Sequence, residues 1–388
     1  MPDDRGGRSL TPQRAAGPLV PVIGKHAATL LGRAGEPLYR LGITHQNKKF
    51  DQGLGVARLP VPVVSIGNLS VGGTGKTPMV MNLVTALLHL GKRPAIAMRG
   101  YAKGKRGAVG TAERSDEADQ YRRLLPDVPV VAQPDRIAGL RALIASSALS
   151  PIDCVVLDDG FQHRRLARNL DIVLLDASRD VFADRLLPAG WLREPVASLA
   201  RAGVVVITHA EMVSDEAVAS MSAEVRAINP GAALCVARHV WTSLNITNGG
   251  QTGGTKDAQS ALHVAWLAEK QVIPVCAIGN PQGFIAGVER YAGSIVERVV
   301  LPDHDPYSPQ TIEKLLQMLR GFNGRDARSV KTRVDAIVTT EKDWSKLGVR
   351  SIEWPCPVVR PVLEIEFVSG RDALLQRVQR ALQTTTPK

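Results

Sequence analysis

The amino-acid sequence predicts an α/β fold: a parallel sheet with helices on both faces, followed by a second, smaller α/β domain. The first observation is that short apolar runs alternate along the chain with segments of helical length. The second is composition, since 44% of the residues are hydrophobic but only 4% are aromatic. Short apolar strands with few aromatic residues are typical of a parallel sheet that is buried on both faces. The third is length, because 388 residues are enough for two domains.

The first domain is predicted from a repeated strand and helix order. The predicted strands lie at 61–66, 94–98, 128–131, 153–157, 171–175 and 203–207. The predicted helices lie at 76–90, 116–125, 136–145 and 215–228. Strands that alternate with helices of this length indicate parallel βαβ units. This domain is therefore expected to extend over residues 61–240.

A change of composition separates the first domain from the second. Residues 241–262 are rich in Thr, Asn, Gly and Gln, which is typical of loops, and we interpret them as a linker. Apolar strands and helices return at 275–278, 282–291, 295–301, 309–319, 335–338 and 371–382. The smaller domain is therefore expected at 263–388.

Residues 1–60 form an N-terminal lead-in. Within it, residues 18–41 are apolar but also carry cationic side chains such as Lys25 and Arg33. Two arrangements fit this segment: an element that lies along a membrane surface, or an ordinary helix packed on the protein. No apolar run reaches the roughly 18 to 20 residues that a bilayer span needs. Because the start is acidic and has no signal-like stretch, we expect the chain on the cytoplasmic side of the membrane.

Charge and cysteine content narrow the class of protein. The net charge of +11 and the pI near 9.7 favour an acidic partner: nucleic acid, an anionic membrane or a phosphorylated substrate. Nucleic acid is the least favoured, because the basic residues are dispersed and no nucleic-acid-binding motif is present. The 4 cysteines are far apart and form no CxxC pair, which is typical of reduced core residues in a cytosolic protein.

A glycine-rich segment between the first predicted strand and the first predicted helix has the order of a Walker A phosphate loop. Its glycines allow backbone amides to surround phosphates, and the helix N-terminus adds favourable partial charge. We expect Lys76 to reach the β- and γ-phosphates of ATP and Thr77 to offer its hydroxyl to Mg²⁺. Ser70 replaces the first glycine of the strict pattern. The predicted nucleotide-binding residues are Ser70, Val71, Gly72, Gly73, Thr74, Gly75, Lys76 and Thr77.

Two adjacent carboxylates, Asp158 and Asp159, follow the apolar run at 153–157. An acidic residue at the end of a strand beside a phosphate loop can coordinate Mg²⁺ directly or through water. Both are therefore predicted metal ligands, and the sequence leaves open which one contacts the ion. Capping of a helix is the alternative role for the pair.

Several strings outside the phosphate loop are more specific. The strings are Ser65-Ile66-Gly67-Asn68-Leu69, Arg99-Gly100-Tyr101, Asp158-Asp159-Gly160-Phe161-Gln162-His163, Leu187-Pro188-Ala189-Gly190, Leu192-Arg193-Glu194-Pro195 and Thr340-Glu341-Lys342-Asp343. Together they resemble the tetraacyldisaccharide 4'-kinase family, over residues 61–343.

The resemblance implies a phosphotransferase with an alcohol group as acceptor. The expected reaction moves the γ-phosphate of ATP to the 4'-hydroxyl of a tetraacylated glucosamine disaccharide 1-phosphate, which forms lipid IVA in lipid A biosynthesis. The expected place is the cytoplasmic face of the inner membrane, as a peripheral protein. The expected partners are the acidic lipid substrate and the membrane surface, and nothing in the sequence indicates an obligate protein partner.

The resemblance also implies site residues. It assigns proton transfer to a catalytic pair, Asp116 and His304, beside Lys76, because contact between Asp and His can orient a proton. Asp116 could instead be a carboxylate that stabilises a helix N-terminus, and His304 an ordinary loop histidine. Glu194 is a further predicted Mg²⁺ ligand, with pairing to Arg193 or helix capping as its alternatives.

Two rival functions remain. One is a P-loop kinase for another sugar or metabolite, which the specific strings disfavour. The other is a regulatory P-loop GTPase. The segment from Thr340 to Asp343 is disfavoured as a guanine-reading (N/T)KxD motif, because it lacks the residue between Lys and Asp.

Overall fold

The structure is a computed structural model that describes residues 30–100, 116–146, 151–247, 260–303, 305–323, 333–348 and 352–384. The helices in these ranges are α1 Leu30–Asp51, α2 Lys76–His89, α3 Asp116–Leu124, α4 Arg136–Ser146, α5 Asp215–Ile228, α6 Pro281–Tyr291, α7 Pro309–Asn323, α8 Glu341–Leu347 and α9 Arg371–Gln383. The strands are β1 Val63–Asn68, β2 Pro94–Met98, β3 Val130–Ala132, β4 Cys154–Asp158, β5 Leu170–Asp176, β6 Val204–Thr208, β7 Ala233–Thr247, β8 Ser260–Leu262, β9 Gln271–Cys276, β10 Ser294–Ile295, β11 Val299–Val300, β12 Ala336–Thr339 and β13 Val358–Ser369.

The strands of the described ranges form one 13-stranded sheet. Its order is β10-β9-β12-β13-β7-β6-β5-β1-β4-β2-β3, with β11 beside β9 and β8 beside β7. From β6 to β3 every pairing is parallel, and β1 lies between β4 and β5. The predicted parallel α/β fold is confirmed. The carboxyl ends of β1, β4, β5 and β6 therefore meet at the edge where such sheets bind ligands.

Helices cover both faces of this parallel part. On one face, Leu83 and Leu87 of α2 lie in the same apolar cluster as Leu374 of α9. On the other face, Val225 of α5 and Leu140 of α4 pack on the sheet. These side chains are almost completely buried, and burial of each contributes roughly 1.5 to 3 kcal/mol. Packing of this kind fixes the start of α2, and with it the loop that precedes the helix.

Strand β7 joins the two halves of the sheet. It is parallel to β6 and antiparallel to β13, which in turn is parallel to β12. The predicted linker at 241–262 is therefore wrong over 241–247, which belong to β7, and over 260–262, which form β8. Residues 248–259 lie outside the described ranges. The polar side chains that suggested a loop have partners: Thr242 donates to Glu364 of β13, and Asn245 donates to Glu341 at the start of α8.

The C-terminal helix α9 crosses the predicted domain division. Its buried side chains Leu374 and Val378 pack with Val64 and Ile66 of β1. A separate apolar cluster lies around β9, α7 and β12, and includes Ile273, Leu319 and Ile337. The second cluster supports a smaller C-terminal unit, but α9 belongs to the core of the first half. The division at 263 stays a prediction.

Helix α1 docks on the first half through polar contacts. The Tyr39 hydroxyl donates to the Arg193 carbonyl over 3.0 Å, and Asn47 donates to Glu194 over 2.9 Å. Leu38 and Leu41 point away from this interface and are 74% and 68% exposed. No helix in the described ranges has both the length and the apolar character that a bilayer span requires.

Candidate active site

The predicted phosphate loop connects β1 to α2. Gly72 and Gly75 have φ angles of 115° and 79°, in the region that glycine adopts without strain. Helix α2 begins at Lys76, and no side chain caps its N-terminus. The backbone amides of the first turn of a helix have no partner within the helix. The loop therefore presents backbone N–H groups and the positive end of a helix dipole, which together bind phosphate.

A neighbouring segment supports the loop from outside. The Val71 amide donates to the Trp191 carbonyl over 2.9 Å, and the Arg193 amide donates to the Leu69 carbonyl over 2.7 Å. These bonds place the Leu192-Arg193-Glu194-Pro195 string directly against the phosphate loop. The string could be found in the sequence, but its contact with the loop could not, because the two segments are more than 110 residues apart.

Thr74 is held from two sides. The Asn68 side chain donates to the Thr74 hydroxyl over 2.9 Å, and the Thr208 hydroxyl donates to the Thr74 carbonyl over 3.1 Å. Below the loop, the buried His239 ring lies so close to Gly75 that an added Cβ would come within 2.6 Å of it. The ends of β1 and β6 and the middle of β7 thus fix the loop conformation.

Asp158 ends β4 and is almost completely buried, at 5% exposure. Its Oδ2 atom accepts a hydrogen bond of 3.0 Å from the Tyr121 hydroxyl. Its Oδ1 atom is also buried and has no hydrogen-bond partner in the described ranges. Burial raises the pKa of Asp158 to about 6, although the nearby Lys76 opposes the increase. A buried carboxylate oxygen without a partner is a favourable position for a cation.

Asp159 is engaged by two cations. Lys76 Nζ lies 3.6 Å from Asp159 Oδ1, and Arg193 Nη1 lies 2.9 Å from both carboxylate oxygens. Burial alone would raise the pKa of Asp159, but Lys76 and Arg193 outweigh it and lower the pKa. Nothing in the sequence indicated that Arg193 lies at this carboxylate. Asp159 is therefore ionised and links the phosphate-loop lysine to the Leu-Arg-Glu-Pro string.

The residues around Asp158 fit a magnesium ion. Mg²⁺ in nucleotide sites is held by one or two protein oxygens together with phosphate oxygens and waters. The Asp158 Oδ1 atom is available as one such oxygen, and the Tyr121 hydroxyl links Asp158 to the Thr77 side chain. Two of the four predicted metal ligands, Thr77 and Asp158, are therefore connected in the structure.

Glu194 does not fit the metal set. Its carboxylate accepts hydrogen bonds from Arg201 at 3.0 and 3.1 Å, from Asn47 at 2.9 Å and from Gln162 at 3.2 Å. The group is buried, and these donors use both of its oxygens. The alternative of pairing with Arg193 is not observed either, since Arg193 pairs with Asp159. The contacts of Glu194 are those of a structural partner that joins α1 to the 196–201 segment.

The predicted catalytic pair falls largely outside the described ranges. Asp116 is the first residue of α3, but its side chain is not among the described ones, and His304 lies outside them. Their chain neighbours are described. Lys342 Nζ lies 3.6 Å from Glu117 Oε1 and 3.5 Å from Asp303 Oδ1. The two segments that carry the predicted pair therefore approach the same lysine.

The second half of the sheet also contacts the phosphate loop. Gly279, which follows β9, lies so close to the loop that an added Cβ would be 3.2 Å from the Gly73 amide nitrogen and 3.3 Å from Asp303 Oδ2. Nothing in the sequence indicated that Gly279 approaches the loop. The candidate site is thus bounded by residues from both halves of the chain.

Comparison with known proteins identifies the family. The profile of the family described as tetraacyldisaccharide-1-P 4'-kinase matches residues 29–383. This chain belongs to that family. A tetraacyldisaccharide 4'-kinase from Chlorobaculum parvum is 30% identical over 377 residues, which are 93% of this chain and 97% of the relative. One from Syntrophus aciditrophicus is 35% identical over 325 residues, which are 80% and 82% of the two chains.

A solved structure agrees with the family match. The crystal structure of LpxK from Aquifex aeolicus in complex with ATP is 30% identical to this chain, with a TM-score of 0.63. The match covers 90% of this chain and 98% of that one. The resemblance inferred from the sequence strings and the P-loop kinase fold are both confirmed, and the chain is a kinase.

Proposed function

We propose that this kinase transfers the γ-phosphate of ATP to the 4'-hydroxyl of a tetraacylated glucosamine disaccharide 1-phosphate, a step of lipid A biosynthesis. The observation that carries the proposal is the family match over residues 29–383, which includes every part of the described phosphate site. The net charge of +11 agrees with an acidic lipid substrate. The same charge and the phosphate loop alone would fit many kinases.

The phosphate loop is assigned to ATP. Residues 70–77 would hold the phosphates through backbone amides, and Lys76 would contact the β- and γ-phosphates. The contact between Lys76 and Asp159 shows that this side chain already lies on the side of the loop that faces β4. Mg²⁺ supplies charge neutralisation when it is bound, and Thr77 and Asp158 would hold it. Of the two aspartates, Asp158 is the better ligand because Asp159 is already paired with Lys76 and Arg193.

Proton transfer is assigned to Asp116 and His304. A sugar hydroxyl is a weak nucleophile, so a base that removes its proton accelerates attack on the phosphate. The position of Asp116 at the start of α3, and the shared contact of Glu117 and Asp303 with Lys342, support this assignment. The hydroxyl would then be deprotonated between the start of α3 and the loop after β11.

A peripheral position on the membrane is part of the proposal. The exposed face of α1 carries Leu38 and Leu41 together with Lys48 and Lys49, all on the side opposite the docking contacts. An apolar and cationic face of this kind binds anionic lipid surfaces. The cytoplasmic face of the inner membrane is the compartment in which ATP is available.

Measurement of phosphate transfer tests the reaction. The purified enzyme is incubated with γ-labelled ATP, Mg²⁺ and the purified disaccharide 1-phosphate in detergent, with Lys76→Ala as the inactive control. We expect the intact enzyme to form labelled lipid from ATP and the Lys76→Ala variant to form none. The absence of labelled lipid from the intact enzyme would refute the proposed function.

The same assay separates the rival functions. Transfer to a water-soluble sugar, but not to the lipid, would indicate a kinase for another metabolite. Hydrolysis of GTP without any acceptor would indicate a regulatory GTPase. The structure disfavours the second rival, because Asp343 is buried and accepts the Ala277 amide over 3.1 Å, so it is not placed to contact a base.

A further inference from the structure

The string Thr340-Glu341-Lys342-Asp343 has no role in the phosphate site described above. It forms the N-terminus of α8, more than 200 residues after α3 in the sequence. We propose that Lys342 is a positioning residue for proton transfer. It joins Glu117, at the start of α3, to Asp303, in the loop after β11. In this way it holds the neighbouring residues Asp116 and His304 in place. This inference rests on the proposed function of that pair.

The backbone around Lys342 is fixed by its two polar neighbours in the string. The Thr340 hydroxyl caps α8 by accepting the Asp343 amide over 3.1 Å, and it donates to the Asp343 carboxylate over 2.6 Å. Asp343 in turn accepts the Ala277 amide over 3.1 Å at the end of β9. Both contacts attach the first turn of α8 to the buried sheet. The Lys342 side chain therefore starts from a rigid position.

Glu341 attaches α8 to the far end of α3. Its carboxylate lies 3.3 Å from the guanidinium of Arg360, which is almost fully buried, and 2.8 Å from that of Arg123. Arg123 belongs to the last turn of α3. Removal of either partner from the buried Glu341–Arg360 pair would leave an uncompensated charge, so this pair holds Glu341 firmly against β13. The C-terminal end of α3 is thus held by Glu341.

Lys342 completes the attachment at the opposite end of α3. Its Nζ atom lies 3.6 Å from Glu117 Oε1 and 3.5 Å from Asp303 Oδ1, with the side chain 20% exposed. An ammonium group has three donors and can contact two carboxylates at once. The cation attracts both carboxylates and offsets the repulsion between them, so removal of its charge would weaken the attachment of the two segments. Glu117 and Asp303 adjoin the proposed catalytic pair, so a weaker attachment would change the geometry of that pair.

This role predicts a specific change in the kinetics. Binding of ATP depends on the phosphate loop, whereas Lys342 forms ion pairs with Glu117 and Asp303. A misplaced base lowers the rate of the chemical step and leaves the affinity for nucleotide nearly intact. Removal of the Lys342 charge should therefore lower kcat far more than it changes the KM for ATP.

The experiment uses the full-length enzyme and a double-mutant cycle with Asp116→Ala. Lys342→Met removes the charge but keeps the length of the side chain, and Lys342→Arg restores the charge. We expect Lys342→Met to lower kcat at least ~30-fold with the KM for ATP within ~3-fold, and Lys342→Arg to recover a large part of the loss. In the Asp116→Ala background, Lys342→Met should cause less than a ~3-fold further loss, because both act on one step.

Two controls keep the result interpretable. Arg122→Met removes a cation that pairs with Asp119 on the exposed side of α3, and it should leave kcat within ~2-fold. Thermal unfolding is recorded for every variant. If Lys342→Met fails to fold, Lys342→Arg and Asp303→Asn decide instead, and Asp303→Asn should lower kcat without raising the KM for ATP.

The outcomes are distinct. The inference is overturned if folded Lys342→Met keeps kcat within ~2-fold, if its loss appears mainly in the KM for ATP, or if the same loss is found in the Asp116→Ala background. An Asp116→Ala enzyme with full activity overturns both this inference and the proposed catalytic pair. Failure of the intact enzyme to phosphorylate the lipid refutes the proposed function as a whole, and the Lys342 role with it.

Discussion

Lys76 Nζ lies 3.6 Å from Oδ1 of Asp159, so the phosphate loop and the end of β4 are in direct contact. Arg193 approaches the same carboxylate at 2.9 Å. Asp158, its neighbour in sequence, has a buried oxygen with no partner in the described ranges. The two aspartates therefore have different roles: Asp159 positions cations of the protein, and Asp158 is available to an added one.

The first prediction concerns the metal. Asp158→Asn should remove most of the increase in ATP affinity that Mg²⁺ causes, at least ~10-fold, because an amide is a weaker ligand than a carboxylate. Asp159→Asn should keep most of that increase and instead weaken binding of ATP in the absence of Mg²⁺. Titration calorimetry with and without Mg²⁺ measures both. Equal loss in the two variants would contradict the assignment of Asp158 as the ligand.

The second prediction concerns the phosphate loop. Gly75→Ala places a Cβ at a φ of 79° and within 2.6 Å of the buried His239 ring. Gly91→Ala adds a Cβ at a similar φ of 69°, but with nothing within 4 Å. We expect Gly91→Ala to cost about 1 to 2 kcal/mol of unfolding free energy and to leave ATP binding unchanged.

Gly75→Ala should cost more stability than Gly91→Ala, and it should also raise the Kd for ATP at least ~10-fold, because the loop must shift away from His239. Denaturant unfolding and calorimetry give the two quantities. If the two variants behaved alike, the contact between His239 and the loop would have no effect on nucleotide binding.

Local order in the sequence was enough to predict the phosphate loop and the end of β4. Lys76 can be recognised because a strand, a glycine-rich turn and a helix follow one another within a short stretch, and Asp158 because it follows an apolar run of strand length. Lys342 could not be understood in this way, since its partners Glu117 and Asp303 are distant in sequence. Charge pairs of that kind depend on the completed fold.

The sheet shows the same limit. Parallel strands β1, β4, β5 and β6 are buried on both faces and read as apolar runs, so they were predicted close to their observed positions. Strands β7 and β13 are long, carry polar side chains and pair antiparallel with each other across more than 100 residues. The Thr, Ser and Asn side chains at 242–247 of β7 suggested a loop, and the pairing with β13 explains why this stretch is a strand. The linker prediction failed at β7 for this reason.

The third prediction concerns Glu194 and Arg201. The Glu194 carboxylate is buried, and Arg201 Nη2 lies 3.0 Å from it. Arg201→Met should cost about 3 kcal/mol of unfolding free energy, because it leaves a buried charge without its partner. The double variant Arg201→Met with Glu194→Gln should lose less than Arg201→Met alone. Denaturant unfolding measures the difference.

Glu194→Gln also tests the metal assignment. Since the carboxylate is held by Arg201, Asn47 and Gln162, the single variant should keep the full effect of Mg²⁺ on ATP affinity. Calorimetry as for Asp158→Asn is the measurement. Loss of the Mg²⁺ effect would show that Glu194 is a metal ligand, as the sequence suggested.

The fourth prediction is a pH dependence. Burial, with the nearby His209, lowers the pKa of His239 from 6.5 to about 3. As the pH falls from about 6.5 towards 3, the unfolded chain binds a proton at His239 that the folded chain does not, so stability falls. The slope for one such group is at most about 1.4 kcal/mol per pH unit. Asp176 lies beside His209, and Glu211 lies beside His239. Asp176 partly opposes the lowering of the His239 pKa.

His239→Gln removes this contribution. The stability difference between the wild-type enzyme and His239→Gln should therefore be largest at pH 7 and shrink towards pH 4. Denaturant unfolding at a series of pH values gives that difference, with His89→Gln on the exposed end of α2 as the control. A difference that stayed constant with pH would mean that His239 is not held neutral by burial.

The fifth prediction concerns the exposed face of α1. Leu38 and Leu41 are 74% and 68% exposed. Insertion of two leucine side chains into a lipid surface buries apolar area and so strengthens binding of the protein to the membrane. Leu38→Glu with Leu41→Glu should lower partitioning onto vesicles of anionic phospholipid at least ~10-fold, and leave kcat on detergent-dispersed substrate unchanged. Leu363→Glu on β13, where the leucine is 40% exposed, is the matched control and should partition like the wild type.

Sedimentation with vesicles measures the bound fraction. Equal partitioning of all three proteins would place the membrane contact elsewhere on the chain, because the α1 face would then contribute nothing to it.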